Sequence, residues 1–375
     1  MNHCLSLTPL LRDLQRNRLT TLQIDRRTLH GVAKFGSTST LSTIALEDSE
    51  TEDTEDETSM TEDDVEDLFF GWTMLVARIR KASGIQHAIL HDNVLPTLPA
   101  EKQAEAFGQL LQALPSLPHM QQLRIYVANR DSLDFALLQS VVQRCRALEQ
   151  LILCDNLCWD VHETALGLRT ATQVQHLADA IRYHPTLTAV SVQECRVAPH
   201  LTLDPILEAL ATVPRLEMIN LTPAHQPTRQ RLSDAALVRL LRIPTLQDVT
   251  LWCMGLDDQH LEALQGVLPT HPALVFLSLR NNAGITAAGW HTLCDMVQQN
   301  YVLRSVYTDE LVAPTAETHL QNLLYWNQCG RGELLASDDP TVWQETVVRW
   351  KDNPTALYYL VRQGHARWLR QTSRK

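Results

Sequence analysis

The sequence predicts an α/β solenoid in which short parallel strands alternate with helices. Three observations predict it: one leucine motif recurs along most of the chain, its copies return at a nearly constant interval, and the stretches between copies carry helix starts, apolar stripes and helix stops. The chain has 375 residues, 45% of them apolar. That length ordinarily divides into two or more globular domains. A solenoid escapes the limit because its core grows in one dimension.

The motif is L-x-x-L-x-L-x-x-N, the signature of leucine-rich repeats. Its cleanest copies are Leu274, Leu277, Leu279, Asn282 and Leu148, Leu151, Leu153, Asn156; Ile85, Ala88, Leu90, Asn93 is a third. Weaker copies start at Leu19, Met120, Leu187, Leu216, Leu246 and Leu303, and Cys195, Ala224 and Met254 stand in for the Asn in three of them. Five of the eight steps between starts are 28 to 30 residues, room for a strand and a full helix rather than a strand and a loop. The expected architecture is therefore a leucine-rich-repeat horseshoe with a parallel concave sheet, convex helices and a helical C-terminal cap. Each strand and each helix leaves an apolar face open that only the next repeat covers.

The intervening helices are legible from their caps. Ser233 precedes Ala236, Leu237, Leu240 and Leu241 on one face; Asp257 precedes Leu261, Leu264, Val267 and Leu268; Thr286 precedes Leu293, Met296 and Val297. Each pairs an N-cap side chain with helical apolar spacing. Pro185, Pro214, Pro244 and Pro272 then fall just before a strand, where proline stops a helix without breaking a ladder. The motif Asn closes each strand, and its amide is expected to satisfy turn backbone groups that the ladder misses. These Asn are read as structural.

Three longer steps mark insertions. The first holds the acidic run, the second Leu95 to Pro99, and the third Leu157 to Arg169. The expected organisation is an N-terminal capping helix in 1–18, the solenoid in 19–314 with a disordered acidic insertion at 36–63, and a helical cap with a basic tail in 315–375. Leu7, Leu10, Leu11 and Leu14 give the first its apolar stripe. Behind the acidic run, Val65, Leu68, Phe69, Trp72, Leu75, Val76 and Ile79 predict a helix. At the C-terminus helices are expected at His319–Trp326, Thr341–Trp350 and Thr355–Gln363, with Trp326, Trp343, Trp350 and Trp368 available to seal the last repeat.

Charge and cysteine usage exclude several classes. The chain carries 32 basic and 43 acidic residues, net −11. Thirteen acids and no bases lie between Glu47 and Asp67, so setting that run aside turns −11 into +2. A nearly neutral body argues against a nucleic-acid binder. Within the run, Ser49, Thr54, Ser59 and Thr61 each have an acid three residues on, the pattern of acidophilic phosphorylation. The N-terminus does not read as a signal peptide, and no apolar stretch reaches membrane-spanning length. Eight scattered cysteines read as reduced, buried small hydrophobes of a cytoplasmic or nuclear protein. Cys154 and Cys158 have no second pair at zinc-ligand spacing, and His87 and His91, four apart on a strand, stand about 13 Å apart, too far to share a metal. No metal, no cofactor and no small-molecule substrate are expected. P-loop, dinucleotide, G-x-S-x-G and H-E-x-x-H motifs are missing from the sequence, so the chain is read as a non-enzyme.

Residues between the motif leucines alternate onto the concave face. In the first half that stripe includes His87, Ile89, His91, Gln122, Arg124 and Tyr126. The candidate partner-binding patch lies further on, at Met218, Asp248, Trp252, Phe276, Arg280, Tyr307 and Asp309. Aromatic residues and Arg among charges of both signs are the composition of an interface hot spot. The expected function is a protein-interaction scaffold or adaptor, monomeric, gripping a protein partner on the concave face. The alternatives are a regulator of a small GTPase and a substrate adaptor in protein degradation.

The two ends carry a family resemblance. Leu10-Leu11-Arg12-Asp13-Leu14-Gln15-Arg16-Asn17 runs into the first strand. Trp326-Asn327-Gln328-Cys329-Gly330-Arg331-Gly332-Glu333-Leu334-Leu335 is followed by Ala356-Leu357-Tyr358-Tyr359-Leu360-Val361-Arg362. Together with the repeat length, these resemble the ribonuclease-inhibitor-like leucine-rich-repeat proteins common in algal genomes, which close with an Asn-Arg-x-Gly-Arg type motif and a Leu-rich helix. Gln328 departs from the Arg usual in that motif. The resemblance covers nearly the whole chain and implies the fold; it implies no common activity.

Overall fold

The computed structural model describes residues 21–24, 43–44, 62–92, 99–127, 133–155, 166–224, 232–308, 314–337, 339–349 and single positions at 351, 354, 357 and 358. The chain divides into two compact units, Met1–Gln230 and Arg231–Lys375.

The first unit alternates strands and helices: β1 (Thr21–Ile24), β2 (Thr43–Ile44), α1 (Glu62–Ile79), β3 (His87–His91), α2 (Ala100–Ala113), β4 (Gln122–Val127), α3 (Phe135–Arg144), β5 (Gln150–Asp155), β6 (Gly167–Leu168), α4 (Ala171–Ile181), β7 (Ala189–Val197), α5 (Asp204–Leu210) and β8 (Met218–Pro223). Its strands pair in parallel in the order β2-β1-β3-β4-β5-β7-β8, and β6 adds to the far end of β7. The second unit continues with α6 (Asp234–Leu240), β9 (Asp248–Leu251), α7 (Asp258–Ala263), β10 (Phe276–Ser278), α8 (Ala287–Gln299) and β11 (Ser305–Tyr307). Here β9, β10 and β11 pair in parallel. The helices α9 (Pro314–Gln328), α10 (Arg331–Ala336) and α11 (Pro340–Arg349) follow. Every repeat start read from the motif has its strand two residues on. The fold class is the predicted α/β leucine-rich-repeat type, parallel strands flanked by helices.

The motif leucines make the core. Leu148, Leu151, Leu153, Leu274 and Leu277 have no exposed surface, and burying each side chain contributes roughly 1.5–3 kcal/mol. The helix caps form as the spacing predicts: Ser233 accepts from the Ala236 amide, Asp257 from His260 and Thr286 from Ala288. Cys195, Ala224 and Met254, which replace the motif Asn, are all buried.

Asn282 shows what the motif Asn does. Its Nδ2 donates to the Leu251 and Leu279 carbonyls at 2.8 and 2.9 Å, and its Oδ1 accepts from the Leu256 amide at 3.1 Å. One side chain thus satisfies backbone groups of two successive repeats, the structural role expected of it.

A buried position ahead of the strand, polar in three repeats, was not anticipated. It sits three residues before the motif start, where Leu117, Cys145, His184, Val213, Ile243, His271 and Asn300 are all buried. His271 accepts from the Ala273 and Leu274 amides through Nδ1, at 3.3 and 3.0 Å, and pairs Nε2 with the Ile243 carbonyl at 3.0 Å. Asn300 repeats the arrangement one repeat on: Oδ1 accepts from Val302 and Leu303, and Nδ2 donates to Leu268. The visible signal is the polar residue ahead of the strand, as in His184-Pro185 and His271-Pro272.

The structure departs from the expected elements in several places. The apolar stripe after Asp257 is buried as expected, but α7 is only six residues long and gives way to two 3-10 turns, Leu264–Gly266 and Leu268–Thr270. Gly266 and Pro269 are poor continuations of a helix. Within the stretch 36–63, expected to be disordered, Thr43–Ile44 forms a strand against β1, and α1 already begins at Glu62. Two β-branched residues beside an open sheet edge outweigh the surrounding polarity there. At the C-terminus α9 starts at Pro314 rather than His319, and α10 is an additional helix; α11 covers the expected Thr341–Trp350 to within a residue. The N-terminal helix and most of Thr355–Gln363 lie outside the described residues.

The resemblance motif acquires a physical role. Trp326 is 1% exposed and Arg331 fully buried. Asn327 Nδ2 donates to the Asn300 and Leu303 carbonyls, Gln328 Nε2 to Arg304, and Arg331 Nη2 to Val297 and Asn300, both at 2.8 Å. The motif thus caps carbonyls that a further repeat would otherwise satisfy.

Candidate functional site

The outward stripe of the second unit brings together five of the seven predicted residues. Register places Asp248 beside Phe276 and Phe276 beside Ser305, and one step along it places Thr250 beside Ser278 and Ser278 beside Tyr307. The backbone stays paired past the strand ends, with the Cys253 amide on the Arg280 carbonyl and the Leu279 amide on the Tyr307 carbonyl. Trp252 and Arg280 therefore come face to face.

The side chains form two pairs. The Trp252 indole N–H donates to the Ser278 hydroxyl, which fixes the ring. The Arg280 guanidinium, exposed to solvent, lies 5.5 Å from the centroid of that ring, a cation–π contact. The Phe276 and Tyr307 rings lie 5.2 Å apart at 39°. Tyr307 is 52% exposed and Phe276 half-buried. Asp248 is also half-buried, and that burial pushes its carboxyl above the usual range.

Two predicted residues remain. Met218 belongs to the first unit, opposite Ala189 on β8 and 43% exposed. Asp309 lies outside the described residues. Among the described residues no group of three or more His, Cys, Asp or Glu side chains is placed to hold a metal ion. His87 and His91 stand at opposite ends of β3 on one stripe.

The first unit presents its own cluster, which the motif reading recorded only as separate strand positions. Arg124 is flanked in register by Ile89 and Ile152, while Tyr126 lies between His91 and Cys154. The His91 and Tyr126 rings stack at 4.6 Å and 18°. Arg124 Nη1 donates to the Tyr126 hydroxyl at 3.2 Å. Gln122 and Gln150 hydrogen-bond across the strands at 3.0 Å.

No family model and no curated protein matches the chain. Solved structures that resemble it include leiomodin-1 actin-binding site 2, at 16% identity, 43% of this chain, 90% of that chain and a TM-score of 0.34. A protein of Bacteroides fragilis shares 14% identity over 67% of each chain, with a TM-score of 0.38. A chain of the yeast Rad7–Elc1 complex shares 13% identity over 64% of this chain and 68% of that one, with a TM-score of 0.35.

Proposed function

We propose that this protein is a non-enzymatic interaction scaffold of the ribonuclease-inhibitor-like kind, gripping a protein partner with the outward face of its strands. The 28 to 30 residue repeat, long enough for a strand and a helix, supports that subtype. The observation that carries the binding role is the Trp252–Arg280 and Phe276–Tyr307 array. Indole, guanidinium and phenol stand together on adjacent strands, held in place by Ser278 and by one another. Pre-ordered aromatic and Arg side chains lose little rotamer freedom on docking, so their contact area converts well into affinity. Asp248 and Arg280 give the patch charges of both signs.

Affinity capture from native extract tests the reading. Trp252→Ala and Arg280→Ala are expected to weaken retention of a specific partner by about tenfold or more, a hot-spot loss. Circular dichroism and thermal melting should remain close to the parent. Unchanged retention in both folded variants would refute the assignment of this patch.

A further inference from the structure

From the first unit we infer a second contact point: Arg124, with Tyr126 and His91, receives a carboxylate side chain from an acidic segment of a protein partner. The inference rests on the reading that the outward strand face meets a protein, but not on the Trp252 patch.

Charge complementarity carries it. Across β3, β4, β5, β7 and β8 the outward stripe runs from His87, Ile89 and His91 to Met218, Asn220 and Thr222. In this set of outward positions no carboxylate occurs, while one Arg and two His do. With the acidic run set aside the body is nearly neutral, net +2, so this stripe holds no acid of its own to compete with an arriving carboxylate for Arg124. The second unit differs, because Asp248 accompanies Arg280 there.

Geometry locates the contact. Among the described residues, the one hydrogen-bond acceptor of the Arg124 guanidinium is the Tyr126 hydroxyl, on Nη1. Arg124 Nε is buried without an acceptor. Nε is enclosed, so an arriving carboxylate meets this half-buried side chain through the terminal Nη1 and Nη2 donors. The Tyr126 oxygen accepts from Arg124 and so keeps its own proton to donate outward. His91 stacks on that ring and holds it. His87, on the same stripe, also has a buried ring nitrogen, Nδ1, with no partner. Ile89 and Ile152 flank Arg124 on both sides, where apolar walls strengthen a charge-assisted bond. A planar guanidinium with unused donors matches a carboxylate, and matches it better than it matches a neutral amide.

The test uses the full chain and fluorescein-labelled dodecapeptides read by fluorescence anisotropy. One peptide is Glu-rich, a second replaces each Glu with Gln, and a third replaces each Glu with phosphoserine; inorganic phosphate serves as a competitor. The Glu peptide is expected to bind at low salt and to weaken as salt rises. Arg124→Gln should reduce its affinity about tenfold, and Tyr126→Phe, which keeps the ring, by a smaller factor. Arg124→Lys keeps the charge but loses the fork and should fall between them. Equal binding of the Gln peptide, no binding of the Glu peptide, or a folded Arg124→Gln protein with undiminished affinity would overturn the inference. So would phosphoserine binding alone, or complete displacement by millimolar phosphate. Trp252→Ala should leave these short-peptide affinities unchanged; it should lower only partner capture, so failure of the scaffold reading and failure of this one give different patterns.

Discussion

At the scale of single residues, Arg331 and Tyr183 each break a local rule. Arg331 is fully buried, and burial pushes its guanidinium down to about 10, still charged at neutral pH. Two of its nitrogens, Nε and Nη1, lack acceptors, while the Tyr301 ring lies 4.8 Å away. The residue thus offsets its own desolvation by capping the Val297 and Asn300 carbonyls and filling volume against the last repeat. Arg331→Ala leaves a cavity and bare carbonyls and is expected to cost about 3–5 kcal/mol in urea unfolding. Arg331→Met keeps most of the volume and removes the buried charge, so its cost should be nearer 1–2 kcal/mol. Equal losses in the two variants would show that hydrogen bonding, not packing, dominates. Tyr183 stands two residues past α4 with φ at 57°, and is 72% exposed. A left-handed aromatic residue with little packing to lose should yield to glycine: Tyr183→Gly is expected to gain up to about 1 kcal/mol and raise the melting temperature.

At the scale of elements, His184 and His271, in the turns before two of the strands, set how their repeats respond to acid. His271 accepts two amides through Nδ1, so its proton sits on Nε2 and the ring must be neutral to do both jobs. Burial lowers its affinity for a second proton, and the same holds for His184. Their folded values lie below the unfolded 6.5, so between the two the unfolded chain holds more protons. Stability is complete above about pH 6.5 and is lost as pH falls through that window. Asn300 performs the same bonding without titrating. His271→Asn should therefore retain the fold and flatten the decline in melting temperature between about pH 7 and 5; an unchanged slope would place the acid sensitivity elsewhere. Much of this architecture was legible beforehand. Period and spacing located nine strands, and the caps at Ser233, Asp257 and Thr286 marked helix starts to the residue, because these signals are local. Within the candidate site, single-strand alternation gave the outward residues. It could not give the Trp252–Ser278 bond or the Arg124–Tyr126–His91 cluster, which depend on register between strands. Nor could it show that the His and Asn three residues before the motif share one buried position, since that position also takes Leu, Val, Ile and Cys.

At the scale of the molecule, burial has placed reactive groups where they are chemically silent. Burial pushes the thiols of Cys145 and Cys195 up to about 12 and that of Cys294 to about 11. The thiolate is the nucleophile, so at pH 8 only a minute fraction of these groups is competent, and solvent does not reach them. Cys253 and Cys329 are half-buried and differ in this respect. Alkylation of the native protein, followed peptide by peptide in a mass spectrometer, should modify Cys253 and Cys329 first among the described cysteines. Cys145, Cys195 and Cys294 should follow only as denaturant opens their units, at rates that track the unfolded fraction. The first two report on residues up to Gln230 and the third on those after it, so one experiment measures the opening of each unit. Fast native modification of Cys195 would contradict the packing of β7, whereas protection of all three up to the unfolding transition would show that the repeat core excludes reagent along both units.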